Sequence, residues 1–201
     1  MTWILLAAAY LLGAFPTSYV VGRLVRGIDL RQHGSGNLGA TNAFRVLGWR
    51  AATPIVLADI AKGWFPAFFF PLWDGRPAPE WALAYGAAAI IGHVFPVYVG
   101  FRGGKGVATS AGVFLALAPI AVLAGAVVWG FLVYATGYVS LASVAAALVL
   151  PAIVFSLRGS TPVFWLAAAL AAFVIYAHRA NIGRLTRGQE HRFGRRTREV
   201  H

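Results

Sequence analysis

Five stretches of this chain, residues 3–22, 51–73, 81–101, 139–157 and 162–178, each run apolar for roughly the 20 residues that carry a helix across a hydrocarbon core. The expected fold is an all-α polytopic integral membrane protein, a single domain over residues 1–201. Hydrophobic residues make up 59% and charged residues 11%, which excludes a soluble domain of this size. The first run, "MTWILLAAAYLLGAFPTSYVVGR", has no basic residue before it, unlike a cleavable signal peptide, and its arginines follow it. It is read as a retained span with the N-terminus outside.

The remaining apolar stretch, Val107 to Thr136, decides the topology. As one straight helix its thirty residues reach roughly 45 Å, well beyond a core of about 30 Å. Pro119 offers a break inside it. A single crossing gives six spans and leaves "HRANIGRLTRGQEHRFGRRTREV", with its seven arginines, outside. Turning back near Pro119 gives seven spans and a cytoplasmic C-terminus. It also gathers Arg23, Arg26, Arg31, Arg45, Arg50, Arg102, Lys105 and the tail arginines on one face, as the positive-inside tendency demands. Seven transmembrane helices are therefore expected, with a half-length helix from about Val107 to Ala118 after the glycine-rich loop. Such a helix needs protein or a cavity around its end.

The net charge of +11 comes from 17 lysines and arginines against six acids. In a chain this apolar it reads as loops facing anionic lipid, not as a nucleic-acid surface. The absence of cysteine excludes disulfides and thiolate chemistry.

Seven spans bring four polar segments to the cytoplasmic end: "HGSGNLGATNAFRVLG", "FRGGKGVATS", "GYVSLAS" and "HRANIGRL". In the second, Gly103, Gly104 and Gly106 with Arg102 and Lys105 precede a helix start, an arrangement able to cradle phosphate. It equally suits a tight loop with two positive-inside charges. It is no nucleotide-binding loop: Val99 stands where the first glycine belongs, and Gly106 replaces the Mg²⁺-binding hydroxyl. The first segment offers Ser35, Asn37, Thr41 and Asn42 beside Arg45. These groups suit a ligand with alcohols and an oxyanion, although Thr41 or Asn42 can also cap a helix. His178 and Asn181 stand three apart and share a face if the last helix continues. Ser140 and Ser143 have the same spacing, with capping an alternative for Ser143. Asp59 and Lys62, one turn apart inside a span, are expected to neutralise each other and support the site. Arg184, Arg187 and the run from Arg192 to Arg198 are read as lipid-facing.

No histidine precedes an aspartate by five positions, so the His-x4-Asp pair of coenzyme-A-dependent acyltransferases is missing. Asp29, Asp59 and Asp74 are too scattered for a carboxylate metal cluster. No metal or other cofactor is expected, and chemistry falls to cations, donors and positioning.

The motifs "GSGNLGATNAFRVLG", "GHVFPVYVGFRGGKGVAT" and "HRANIGRLTRGQE", in this order and with weaker likeness in "YVSLAS" and "LADIAKG", resemble the bacterial acyl-phosphate:glycerol-3-phosphate acyltransferases. Ala177 and Gly137 stand where many members carry a basic residue. The resemblance implies a multi-pass enzyme of the bacterial inner membrane, its site facing the cytoplasm. It would transfer a fatty acyl group from acyl phosphate to the 1-hydroxyl of glycerol 3-phosphate. It also implies a catalytic set of Ser35, Arg45, Lys105, Ser143, His178 and Asn181, with Asn37, Asn42, Arg102, Gly103, Gly104 and Gly106 binding substrate. Arg45 and Lys105 would hold phosphate, and Ser35, Ser143 and Asn181 would orient the substrates. His178 would be either the base or a phosphate ligand. The expected partners are the two substrates and membrane lipids, with no nucleic acid, and the expected assembly is a monomer. The rival from another class is a transporter of an organic phosphate. It should place its binding groups near the midplane between repeated halves, and no repeat is evident.

Overall fold

The computed structural model describes residues 1–193, so Arg195, Arg196 and Arg198 of the tail lie outside the described residues. The regular structure of the described part is helical. A first run is broken at Phe15 and Pro16 into α1 (Thr2–Ala14) and α2 (Thr17–Arg26). The carbonyl freed at the break is not left bare: Lys62 Nζ donates to Phe15 O at 3.0 Å. A short helix α3 (Ala40–Leu47) then meets the long α4 (Trp49–Trp73) at Gly48, whose φ of 87° favours glycine. The rest are α5 (Pro79–Val94), α6 (Val107–Leu117), α7 (Pro119–Thr136), α8 (Val139–Arg158), α9 (Pro162–Ala177) and α10 (Arg179–Thr186). Proline opens α5, α7 and α9, a position where its missing N–H costs nothing.

Five helical stretches are long and apolar enough to cross a membrane, and six if α9 and α10, bent by 57°, count as one span. Helix α6 is apolar but has only 11 residues, about 16 Å at 1.5 Å per residue. It ends at the expected break. Leu117 O accepts a hydrogen bond from Arg158 Nη1 at the far end of α8, at 2.9 Å. Lys105, just before α6, instead bonds Asn181, which donates to Glu190, and Glu190 also accepts from Ser140 at the start of α8. The entrance of α6 and the exit of α7 therefore share one end of the bundle. The chain reverses at Ala118 and Pro119.

Protein surrounds the short helix, as its length requires. Thr109, Val113 and Phe114 are wholly buried, and Phe114, Leu117, Leu150, Val154, Ala167 and Val174 belong to the largest apolar cluster. Lipid gives helices no hydrophobic reason to pair, so close backbone packing has to substitute. Glycines supply it twice. A Cβ at Gly63 of α4 would strike the Thr109 carbonyl, and one at Gly112 of α6 would strike that of Ile60. Between α1 and α5 the same reciprocity holds for Gly13 against Ala89 and Gly92 against Tyr10. Outward-facing Trp3, Val127, Phe131 and Trp165 are exposed, as lipid-facing residues are.

Candidate active site

The glycine loop between α5 and α6 is fastened to the end of α5. Gly103 N–H donates to Val94 O at 3.1 Å and Gly104 N–H to His93 O at 3.2 Å. A Cβ on Gly104 would run into the His93 imidazole, so only glycine allows this approach. Both N–H groups are thereby taken up within the protein. The N–H groups of Lys105, Gly106, Val107, Ala108 and Thr109 have no partner among the described residues, and the first intrahelical bond runs from Ser110 N–H to Gly106 O at 2.8 Å. They are the open end of a helix, where an anion is favoured.

Lys105 stands at that opening. Its ammonium donates to Asn181 Oδ1, and Asn181 Nδ2 donates to Glu190 Oε1 at 2.7 Å. Glu190 also accepts from Ser140 Oγ at 3.0 Å and from Arg184 Nε at 2.7 Å. Burial pushes the Lys105 ammonium down to about 8; Arg184 and Arg45 press the same way, while Glu190 opposes. Burial alone would raise the Glu190 carboxyl, but hydrogen bonds from Asn181, Arg184 and Ser140 hold it below its ordinary value.

His178 occupies the bend between α9 and α10, so it and Asn181 do not lie on one continuous helix. Its side chain is buried, and Nδ1 lies 2.8 Å from Val174 O. A carbonyl only accepts, so Nδ1 carries the proton and Nε2 of the neutral ring is left with a lone pair. Ser143, also buried, accepts from Trp129 Nε1 at 3.3 Å. Neither it nor Ser140 caps α8.

The loop before α3 is folded by Asn42. Its Nδ2 donates to Leu30 O and His33 O, at 3.2 and 3.0 Å, and its Oδ1 accepts from Ser35 N–H at 2.8 Å. Asn42 is buried and spent on the loop itself, and α3 starts at Ala40 with no side-chain cap from it or Thr41. Ser35, Arg45 and Arg102 are exposed, and neither arginine forms an ion pair among the described residues. Asn37 Nδ2 reaches Gly103 O at 3.4 Å and joins this loop to the glycine loop.

A family model described as glycerol-3-phosphate acyltransferase matches residues 3–188. The chain is 46% identical over 185 residues to a glycerol-3-phosphate acyltransferase of Bacillus cereus, covering 92% of this chain and 91% of the relative. It is 42% identical to one from Chlorobaculum parvum, covering 96% and 97%. The fold superposes on the crystal structure of PlsY (YgiH), an integral membrane glycerol 3-phosphate acyltransferase in its glycerol 3-phosphate form. That match has a TM-score of 0.89 and 39% identity over 96% of each chain. The lysophosphatidic acid form of PlsY gives a TM-score of 0.85 at the same identity.

The chain belongs to the glycerol-3-phosphate acyltransferase family. Of the residues expected in this acyltransferase to act together, Lys105 and Asn181 touch, and Asn37 touches the glycine loop. Ser143 and His178 lie in the same end of the bundle without a mutual hydrogen bond. Reading the sequence missed Glu190, which ends the third motif but is the joint between α8, α10 and Lys105. It also missed Thr17 and His93, which surround the expected Asp59–Lys62 pair, itself formed at 2.7 Å. Three arginines read as lipid-facing have protein partners: Arg184 pairs with Glu190, Arg187 donates to Gln189 Oε1 at 3.2 Å, and Arg192 packs over Tyr138. The signal for Glu190 was available, because it is one of only six acids in a strongly basic chain.

Proposed function

We infer that this acyltransferase moves a fatty acyl group from acyl phosphate to the 1-hydroxyl of glycerol 3-phosphate, giving 1-acylglycerol 3-phosphate and inorganic phosphate. The observation that carries the reading is the bond from Lys105 to Asn181 beside the open start of α6. It joins the glycine loop to the last helix pair at the end of the bundle rich in cations, which suits two phosphorylated substrates. Lys105, Arg45, Arg102 and the N–H groups at the start of α6 hold the phosphates. Gly103 and Gly104 act by letting the loop close on His93, and Gly106 by opening α6.

Acyl phosphate is a mixed anhydride and already activated. The glycerol oxygen attacks the acyl carbonyl carbon, the new C–O ester bond forms, and the bond to the phosphate oxygen breaks with its electron pair. The proton from the hydroxyl passes to His178 Nε2 or to the departing phosphate. Ser35, Ser143 and Asn181 orient the reactants, while Asn42 and Asn37 hold the loops that carry them. The fatty tail lies between helices.

The same reading places seven crossings in the bacterial inner membrane, with α6 as the short one. The N-terminus is outside, and the C-terminus and site face the cytoplasm. The gathering of cations at the end bearing Lys105, with Arg76 and Arg158 at the other, supports this orientation. The working unit is a monomer in contact with membrane lipids, without nucleic acid and without a cofactor. Purified protein given both substrates should produce 1-acylglycerol 3-phosphate and phosphate in equal amounts. Phosphate release independent of glycerol 3-phosphate would contradict the reading.

A further inference from the structure

We propose that the buried cluster of Asp59, Lys62, Thr17 and His93 is a positioning hub that sets the two substrate loops against each other. Asp59 Oδ1 receives Lys62 Nζ at 2.7 Å and Thr17 Oγ1 at 3.1 Å, and lies 3.8 Å from His93 Nδ1. Asp59 is 2% exposed and His93 6%. The four residues come from α2, α4 and α5, and none belongs to the cationic pocket around Lys105.

Each arm of the hub ends on a substrate loop. On one side the His93 imidazole is the surface against which Gly104 closes, and His93 O accepts from the Gly104 N–H. On the other, Thr17 begins α2 next to Ser18, whose hydroxyl donates to Leu38 O in the Ser35 loop at 2.6 Å. Lys62 fixes the chain break between α1 and α2 through Phe15 O at 3.0 Å. A cavity of about 10 Å³ where these parts meet is walled by Leu38, Gly103, Thr17, Asp59, Lys62 and His93. Both loops thus rest on one charged cluster. Two ions within a span are costly to bury, and apolar residues of similar volume often hold a fold as well. What an ion pair braced by a hydroxyl adds is direction: the Thr17 bond sets α2 against α4, and the His93 ring of α5 packs beside the pair at 3.8 Å without a hydrogen bond to it.

The proposal rests on the substrate assignments above, which turnover by the unaltered enzyme tests separately. The experiment compares Asp59→Asn, Lys62→Met and the double variant, each measured for melting temperature, kcat and both KM values. Either single change leaves one buried ion unpaired and should lower the melting temperature; the double change removes both ions and should restore it. The double variant should nevertheless keep a kcat reduced by roughly 10- to 100-fold, the loss expected of misplaced reactants. A double variant that regains its stability and the unaltered kcat and KM values together would overturn the proposal. Thr17→Val supplies the second arm, since it exchanges the hydroxyl for a methyl of similar volume and leaves both ions in place. It should lower the melting temperature by the loss of one hydrogen bond to a buried carboxylate and also lower kcat of the folded protein, and Thr17→Ser should restore both. Unaltered kinetics in Thr17→Val would equally overturn the hub.

Discussion

The Lys105 ammonium donates to the side-chain oxygen of Asn181, 76 residues further along the chain. This contact joins the opening of α6 to α10. Lys105→Ala should fold and lose about 10²- to 10³-fold in kcat/KM, the usual loss for a preorganised donor at developing charge. Asn181→Ala should lose less. The double variant should lose less than the two single losses combined, since the residues act as one unit. Steady-state kinetics with melting curves on all three proteins provide the check.

Lys105 should also set a pH limit. Burial lowers its ammonium to about 8 in the free protein, so kcat/KM should fall as pH rises through that value. Lys105→Arg should move the fall to higher pH, because guanidinium stays charged. The effect on stability has the opposite sign. The folded value is depressed from 10.5, so between about 8 and 10.5 the unfolded chain holds more protons and the penalty this buried ammonium puts on folding shrinks as pH rises. The rate profile and the melting temperature across this range test the two signs together.

Glu190 gathers Ser140, Asn181 and Arg184. Glu190→Ala strips three donors of their acceptor and should cost about 1–3 kcal/mol of stability, measured by thermal or denaturant unfolding. Because the folded carboxyl ionises below its ordinary value of 4.5, its stabilisation is complete above that pH. It is lost as pH falls through the lower folded value. The alanine variant should lack this acid-side dependence.

Helix α6 tests the packing. Gly63→Ala or Gly112→Ala places a methyl against a backbone carbonyl of the facing helix. Each should cost about 1–3 kcal/mol or more. Gly130→Ala, in α7 with open space around it, should leave the melting temperature unchanged or slightly raised.

Most of the long apolar helices and the break at Pro119 were legible in the sequence because both are one-dimensional: a run length set by the hydrocarbon thickness and a proline that interrupts it. The bend at His178 was not, since nothing local in "YAHRAN" breaks a helix. Asn42 was legible as polar but not as structural. Its three bonds depend on how Leu30, His33 and Ser35 fold back on it. Thr17 and His93 escaped notice because each sits singly in an apolar run, and only packing brings them to Asp59. Composition showed that the charges were few; the fold determined which of them meet.

The chain contains no cysteine, which makes accessibility labelling direct. Ser35→Cys and Arg179→Cys, both at exposed positions, can be probed with a membrane-impermeant maleimide in sealed vesicles of known orientation. A single cationic pocket beside the inner leaflet predicts that both label from the cytoplasmic side only. Labelling of the two from opposite sides would contradict it.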